Sequence, residues 1–173
     1  MNNFLYSIAN PKSIAFFGAS NRFSSMGTNQ LNSVLDLGFE GNVYPVHPKE
    51  ESVLGLKAYK RVADLPEIPD LAVMVLPTQV VPGVMEECGK KGIKHAVVVS
   101  GGFKEVGGAG LELEKKLLAV ANQYGIRFLG PNCLGSPILI ISSMLPFCLL
   151  RANPASSALP PRAAALSPRC SAT

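Results

Sequence analysis

The chain has 173 residues, of which 47% are hydrophobic and 16% charged, so it is long enough to form one buried core and too short to favour two. Its net charge of +4 lies mostly near the C-terminus, because residues 1–136 hold 13 basic and 12 acidic side chains and the rest of the excess comes from Arg151, Arg162 and Arg169. We therefore expect no nucleic-acid-binding surface, and four cysteines without disulfide or metal-ligand spacing favour the cytoplasm.

Apolar runs alternate with helix-like segments along most of the chain. Strands are expected at 13–17, 42–46, 71–76, 94–99 and 126–129, and the last three are almost continuously apolar, as strands buried on both faces are. Helices are expected at 27–37, 78–91 and 109–124, each followed by a glycine that suits a left-handed helix end. This alternation predicts an α/β fold, a Rossmann-like doubly wound parallel sheet with helices on both faces.

Finer expectations concern the helices and the segment before the third strand. Residues 55–59 predict a short extended piece and residues 62–65 a helical turn. Thr78 is expected to cap the N-terminus of the second helix. The third helix has an apolar side that predicts packing on a sheet and consists of Leu113, Leu117, Leu118, Val120 and Ala121.

The composition of the chain changes after Gly135. All 16 glycines lie at or before this residue, whereas residues 151–173 hold seven alanines and four prolines but no acidic or aromatic residue. We therefore expect a ligand-binding domain over residues 1–136 and an atypical, poorly ordered tail over residues 137–173. The most apolar stretch, 138–150, is only 13 residues long and contains Pro146, so we expect no membrane span.

The turn after the first predicted strand resembles a phosphate-binding loop. Gly18-Ala19-Ser20-Asn21 leads into Ser24-Ser25-Met26-Gly27 at the start of a helix. Small side chains, hydroxyls and the positive end of the helix dipole allow backbone N–H groups to hold a diphosphate. A purely structural interpretation stays open, in which the glycines only permit a tight turn.

Lys49 favours a nucleotide whose ribose carries a phosphate. It ends His47-Pro48-Lys49 after the second strand, where a fold that binds an unmodified ribose would carry an acid. An ammonium group instead suits a phosphomonoester, such as the 3′-phosphate of coenzyme A or the 2′-phosphate of NADP. The alternative is a solvated surface lysine beside Glu50 and Glu51.

Two further turns follow the fourth and fifth predicted strands. Ser100-Gly101-Gly102-Phe103 and Gly130-Pro131-Asn132-Cys133 are expected at the carboxyl edge of the sheet, where ligands of open α/β folds bind. Paired glycines allow a ligand to approach the backbone closely. Cys133 has no base nearby in the sequence, so we do not expect an activated thiolate.

In their order and spacing, these segments resemble the coenzyme A-binding domain of the NDP-forming acyl-CoA synthetases, the group that includes ADP-forming acetyl-CoA synthetase and the succinyl-CoA synthetase α subunit. The resemblance runs from about Ile8 to Gly135 and is carried by residues 14–20, 44–49, 55–59, 86–89, 102–107 and 130–135.

The resemblance implies a coenzyme A site made of several loops. The diphosphate would lie against Ser20 and the Ser25-Met26-Gly27 turn, the phosphorylated adenosine against Lys49, and the pantetheine arm against Ser100-Gly101-Gly102. Asn132 and Cys133 would lie toward the thiol, and Leu76-Pro77-Thr78 would form the loop under the nucleotide. The complete predicted set is Gly18, Ala19, Ser20, Ser25, Met26, Gly27, Lys49, Pro77, Ser100, Gly101, Gly102, Phe103, Asn132 and Cys133.

The resemblance also implies a reaction that needs more than this domain. Family members form an acyl-CoA from a carboxylic acid, coenzyme A and a nucleoside triphosphate, through an acyl phosphate and a phosphohistidine. Neither His47 nor His95 matches the phosphohistidine segment, so we expect no catalytic residue here and no activity of this chain alone. ATP or ADP and Mg²⁺ would belong to an ATP-grasp or β-subunit-like partner domain, and the ligand of this domain would be coenzyme A or acyl-CoA.

Other interpretations stay open at this point. A stand-alone regulatory coenzyme A-binding protein would need only this domain. An NADP-dependent oxidoreductase would also use Lys49, although it usually has a tighter Gly-x-Gly-x-x-Gly loop. The abrupt tail suggests a truncated or frameshifted fragment, against the alternative of a genuinely divergent tail, and reading the coding DNA in all frames would distinguish the two.

Overall fold

The computed structural model describes residues 4–133, so the predicted tail over residues 137–173 lies outside the described residues. The helices are α1 (Phe4–Ala9), α2 (Met26–Asp36), α3 (Val81–Lys91) and α4 (Gly108–Tyr124). The strands are β1 (Ser13–Phe17), β2 (Asn42–Val46), β3 (Ser52–Val53), β4 (Leu56–Lys57), β5 (Leu71–Met74), β6 (His95–Val98) and β7 (Arg127–Leu129). Short 3₁₀ turns lie at Val62–Asp64, Thr78–Val80 and Lys104–Val106.

Five strands form a fully parallel sheet in the order β2-β1-β5-β6-β7. The chain moves outward from β1 to β2, returns past β1 to β5, and then continues in the opposite direction to β6 and β7. Because parallel crossovers are right-handed, the two directions place helices on opposite faces of the sheet. The predicted doubly wound fold is confirmed, and its topological switch point lies between β1 and β5.

Alternate residues of the central strands supply two hydrophobic cores. Ala15 and Phe17 of β1 belong to the core that also contains Met85 of α3 and Leu117 of α4. Ile14 and Phe16 belong to the other core, with Ile8 of α1 and with Leu31 and Val34 of α2. Every residue of β1 is buried, as expected of a strand covered on both faces.

The helices end where the sequence predicts. Gly38, Gly92 and Gly125 follow α2, α3 and α4 with φ of +76°, +103° and +63°, which is the left-handed conformation of a helix end. The predicted extended piece and helical turn are also present, as β4 and the Val62–Asp64 turn. No helix within residues 4–133 is long and apolar enough to cross a membrane.

Two predictions about the helices are wrong. Thr78 does not cap α3, which begins only at Val81 after a 3₁₀ turn; its hydroxyl instead donates to the carbonyl oxygen of Gly101 at 2.5 Å. Leu118 is 45% exposed, whereas its neighbour Leu117 is fully buried. Leu118 lies about 100° further around the helix axis than Leu117, and at this position of α4 that rotation turns it away from the sheet.

Candidate ligand-binding site

A cleft of about 380 Å³ opens where β5 and β6 end, beside the switch point of the sheet. Five residues of the predicted site line it, namely Met26, Pro77, Ser100, Gly101 and Asn132. Val75, Leu76, Thr78 and Val99 also line it and were not in the predicted set. The sequence predicts strands that include Val75 and Val99, but β5 and β6 end earlier, at Met74 and Val98. Leu76 and Thr78 flank Pro77 in the segment that the resemblance places under the nucleotide.

Gly18 and Gly27 bring three chain segments together at one side of this cleft. Gly18 has φ of +93°, and a Cβ there would overlap the carbonyl oxygen of Val75. A Cβ on Gly27 would overlap the carbonyl oxygen of Gly18. Both glycines are therefore required by close backbone packing, which places the N-terminus of α2 against the end of β1.

Thr28, which sequence reasoning missed, organises the loop between β1 and α2. Its buried hydroxyl donates to the carbonyl oxygen of Ser20 at 2.8 Å and accepts from the Ser20 N–H at 3.0 Å. Ser25 caps α2 by accepting from the Thr28 N–H at 3.2 Å, and its Oγ lies 2.6 Å from Thr28 Oγ1. The Ser-x-x-Thr spacing at a helix start was the available signal for this arrangement.

The hydroxyls of this loop differ in how they are used. Because the Thr28 proton goes to the Ser20 carbonyl, the Ser25 hydroxyl donates to Thr28. Ser20 Oγ accepts from the Arg22 N–H at 3.2 Å and lies 3.4 Å from Thr28 Oγ1, the longest contact of the group. The Ser20 hydroxyl is therefore better suited than that of Ser25 to donate to a ligand oxygen.

Lys49 lies on an exposed loop directly after β2 and is not among the residues that line the cleft. His47 orders the backbone of this loop, because its Nδ1 accepts from the N–H of Lys49 at 3.2 Å and of Glu50 at 2.9 Å. Asn21 joins the loop to the β1–α2 turn, since its Nδ2 donates to Glu50 Oε2 at 3.2 Å and to the Ser52 carbonyl at 2.9 Å. The two loops are thus held side by side.

Ser100 holds the ends of β5 and β6 together. Its hydroxyl donates to the Leu76 carbonyl at 2.5 Å and accepts from the Leu76 N–H at 3.1 Å. The Asn132 N–H donates to the Ser100 carbonyl at 2.9 Å, which brings the turn after β7 to the same place. Because both functions of the Ser100 hydroxyl are satisfied within the protein, a ligand would meet mainly the backbone of this turn.

The paired glycines after β6 lie next to a carboxylate. Gly102 has φ of +98°, and its N–H donates to Glu105 Oε1 at 2.6 Å. Hydrogen bonds from backbone N–H groups, including those of Glu105 itself and Gly102, lower the pKa of the Glu105 carboxyl below its ordinary value. A Cβ on Gly101 would lie 3.1 Å from Asn132 Oδ1, so the absence of a side chain keeps this part of the cleft open.

The remaining predicted residues take different positions. The side chains of Ala19 and Phe103 are buried in the two cores, so any ligand contact there involves the backbone. Cys133 is partly exposed, and burial raises the pKa of its thiol. Within residues 4–133, no three His, Cys, Asp or Glu side chains lie close enough together to hold a metal ion.

Comparison with known proteins gives consistent results. Acetate–CoA ligase (ADP-forming) from Methanocaldococcus jannaschii is 48% identical over 128 residues, which are 74% of this chain and 18% of that protein. The alpha subunit of acetate–CoA ligase (ADP-forming) I from Pyrococcus furiosus is 42% identical over 135 residues, which are 76% of this chain and 29% of that subunit.

A solved structure extends the similarity to three dimensions. It is dinucleotide-forming acetyl-coenzyme A synthetase 1 from Ca. Korarchaeum cryptofilum in complex with phosphate and ADP, with a TM-score of 0.73 and 46% identity, covering 78% of this chain and 28% of that chain. The chain thus spans less than a third of the length of each of these proteins. A family model described as CoA binding domain matches residues 12–137, which include every loop of the cleft, and the chain belongs to this family.

Proposed function

We propose that this domain binds coenzyme A along the carboxyl edge of its sheet and supplies it to the reaction of an ADP-forming acid–CoA ligase. The observation that carries the proposal is the convergence of the loops after β1, β5, β6 and β7 on one cleft within the matched family region. A ligand of an open α/β sheet binds at such a switch point.

The diphosphate is assigned to the loop between β1 and α2. The first N–H groups of α2, those of Met26 and Gly27, have no partner within the helix and lie at the positive end of its dipole. Ser20 supplies a hydroxyl that is less engaged within the protein than those of its neighbours. This combination of backbone donors and small residues favours a diphosphate without requiring a metal ion at the same place.

The two ends of coenzyme A are assigned to different sides of this loop. Lys49, on the adjoining loop, supplies a cation for the 3′-phosphate, and Pro77 lies under the nucleotide. The pantetheine arm runs over Gly101 and Gly102, where the glycines keep the backbone accessible. Asn132 and Cys133 then lie toward the thiol end, because the turn after β7 is hydrogen-bonded to Ser100.

The chemistry of acid activation is assigned to other domains. The relatives are more than three times as long as the region they share with this chain, and one of them is an alpha subunit, which supports the need for partner domains. We place ATP or ADP and Mg²⁺ on an ATP-grasp or β-subunit-like partner, and the activation of the acid on parts of the enzyme outside this domain. The free thiols of Cys88 and Cys133 suit a cytoplasmic protein.

Isothermal titration calorimetry with coenzyme A, 3′-dephospho-coenzyme A and NADP tests the binding assignment. We expect the tightest binding for coenzyme A, weaker binding for the dephospho form and no binding of NADP. Binding of NADP without a response to coenzyme A would overturn the assignment. The ligase assignment is tested separately, by putting this domain in place of the matching region of a full-length relative and measuring ADP release that requires acetate, ATP and coenzyme A.

A further inference from the structure

We propose that His47 is a positioning residue that gives the domain its preference for a phosphorylated adenosine, because it orders the loop that carries Lys49. The inference rests on the proposed function, since it takes Lys49 as the partner of the 3′-phosphate. It adds a residue that does not line the cleft and whose effect reaches the ligand only through Lys49.

The hydrogen bonds of His47 identify Nδ1 as the accepting nitrogen of the ring. Nδ1 accepts from two backbone N–H groups, those of Lys49 at 3.2 Å and Glu50 at 2.9 Å. A nitrogen that accepts cannot carry the ring proton, so the proton is assigned to Nε2. The acceptor bonds to N–H groups two and three residues ahead, in the way that an Asn or Asp side chain orders an Asx turn.

The backbone of His47 is itself hydrogen-bonded to the segment that contains Tyr59. The His47 N–H donates to the Tyr59 carbonyl at 2.9 Å, and the Tyr59 N–H donates to the Pro45 carbonyl at 2.9 Å, which adds this segment to the edge of β2. The ammonium group of Lys57, on β4, lies 5.3 Å from the centre of the Tyr59 ring in this paired segment.

The loop that carries Lys49 is also held at its other end, at Glu50. Glu50 Oε2 accepts from Asn21 Nδ2 at 3.2 Å, so the segment between His47 and Glu50 is fixed on both sides. Lys49 is exposed and long, and fixing its backbone reduces the number of positions that its ammonium group samples before binding. Loss of the His47 acceptor would release the N–H groups of Lys49 and Glu50, whereas the Thr28 hydrogen bonds that order the β1–α2 loop do not involve His47.

Two near-isosteric variants separate this role from general structural support. In His47→Asn the Asn Oδ1 is bonded to Cγ, as Nδ1 is, and can accept from both N–H groups. In His47→Gln the Oε1 atom takes the place of Nε2 and leaves them without an acceptor. We expect His47→Asn to keep the preference for coenzyme A over 3′-dephospho-coenzyme A, and His47→Gln to reduce it by about tenfold with unchanged affinity for the dephospho form.

A double-variant comparison tests whether His47 acts through Lys49. In a Lys49→Ala background, His47→Gln should change the affinity for coenzyme A by less than about twofold, because the group that it positions is gone. Full and independent losses from the two changes would overturn the inference. Circular dichroism checks folding of each variant, and His47→Ala replaces His47→Gln in both comparisons if the latter does not fold.

The outcomes distinguish this inference from the proposed function. If the unaltered domain fails to bind coenzyme A, the proposed function is wrong and the inference falls with it. If the unaltered domain prefers coenzyme A and His47→Gln keeps that preference, only the inference is overturned. Equal loss in the Asn and Gln variants would also overturn it, because the position of the acceptor would then be irrelevant.

Discussion

The carbonyl oxygen of Val75 occupies the space into which a side chain on Gly18 would extend. Gly18 follows β1 and Val75 follows β5, so this contact joins the two strands at the switch point, immediately beside the cleft. The geometry of the ligand loop thus depends on a backbone contact that a single methyl group would remove.

Gly18→Ala should destabilise the domain strongly. The new Cβ is strained by the positive φ and also overlaps the Val75 carbonyl oxygen. We therefore expect the free energy of unfolding to fall by about 3 kcal/mol or more. Gly38→Ala is the matched control, since Gly38 also has a positive φ, of +76°, but has open space around its missing Cβ. Its expected loss is about 1 kcal/mol. Urea denaturation followed by circular dichroism measures both, and similar losses would contradict the packing argument.

Thr28→Val should loosen the β1–α2 loop. Valine has nearly the shape of threonine but leaves the Ser20 carbonyl and N–H without their buried partner, which should cost about 1–3 kcal/mol of unfolding free energy. Thr28→Ser keeps the hydroxyl and should lose much less. The affinity for coenzyme A, measured by calorimetry, should fall with Val and be largely retained with Ser. Equal affinity in both variants would show that the network does not shape the diphosphate loop.

Lys49→Ala should weaken coenzyme A far more than 3′-dephospho-coenzyme A. Loss of a charge-assisted contact to the 3′-phosphate should cost about 1–3 kcal/mol, and the difference between the two ligands should shrink as ionic strength rises. Lys115→Ala on α4 removes the same charge from an exposed helix position and serves as the control. An equal loss for the two ligands would assign Lys49 to another part of the site.

The stability of the domain should decline in alkali through Tyr44. Burial, with a hydrogen bond of 2.6 Å to Glu67 Oε1, raises the pKa of Tyr44 to about 12. The unfolded chain loses this proton near pH 10, so the folded protein binds more protons between the two values and its stability falls as pH rises through them. Below about pH 10 the contribution is fully present.

Tyr44→Phe tests whether Tyr44 causes this loss of stability at high pH. We expect the variant to show a smaller loss of unfolding free energy between about pH 9 and 11.5 than the unaltered domain. Tyr6→Phe is the control, because Tyr6 is 58% exposed. A loss in Tyr44→Phe equal to that in the unaltered domain would mean that Tyr44 does not carry this part of the alkaline sensitivity.

Much of the secondary structure was predictable because it depends on local pattern. Residues 13–17 and 42–46 were placed as the strands that β1 and β2 form, and the glycine ends of α2, α3 and α4 were placed correctly. A strand buried on both faces, as β1 is, is largely apolar, and a left-handed helix end favours glycine, so both features are visible within a few residues of sequence. The short helix α1 was not predicted.

The family was also predictable from the sequence, because the segments that carry the resemblance are short local motifs within residues 12–137. Only the tertiary structure decided how each residue is used. Contacts between residues 24 apart commit the Ser100 hydroxyl to Leu76. Packing buries the side chains of Ala19 and Phe103. Because β5 ends at Met74, Val75 and Leu76 line the cleft. These outcomes depend on which distant strand lies alongside, and sequence periodicity does not contain that information.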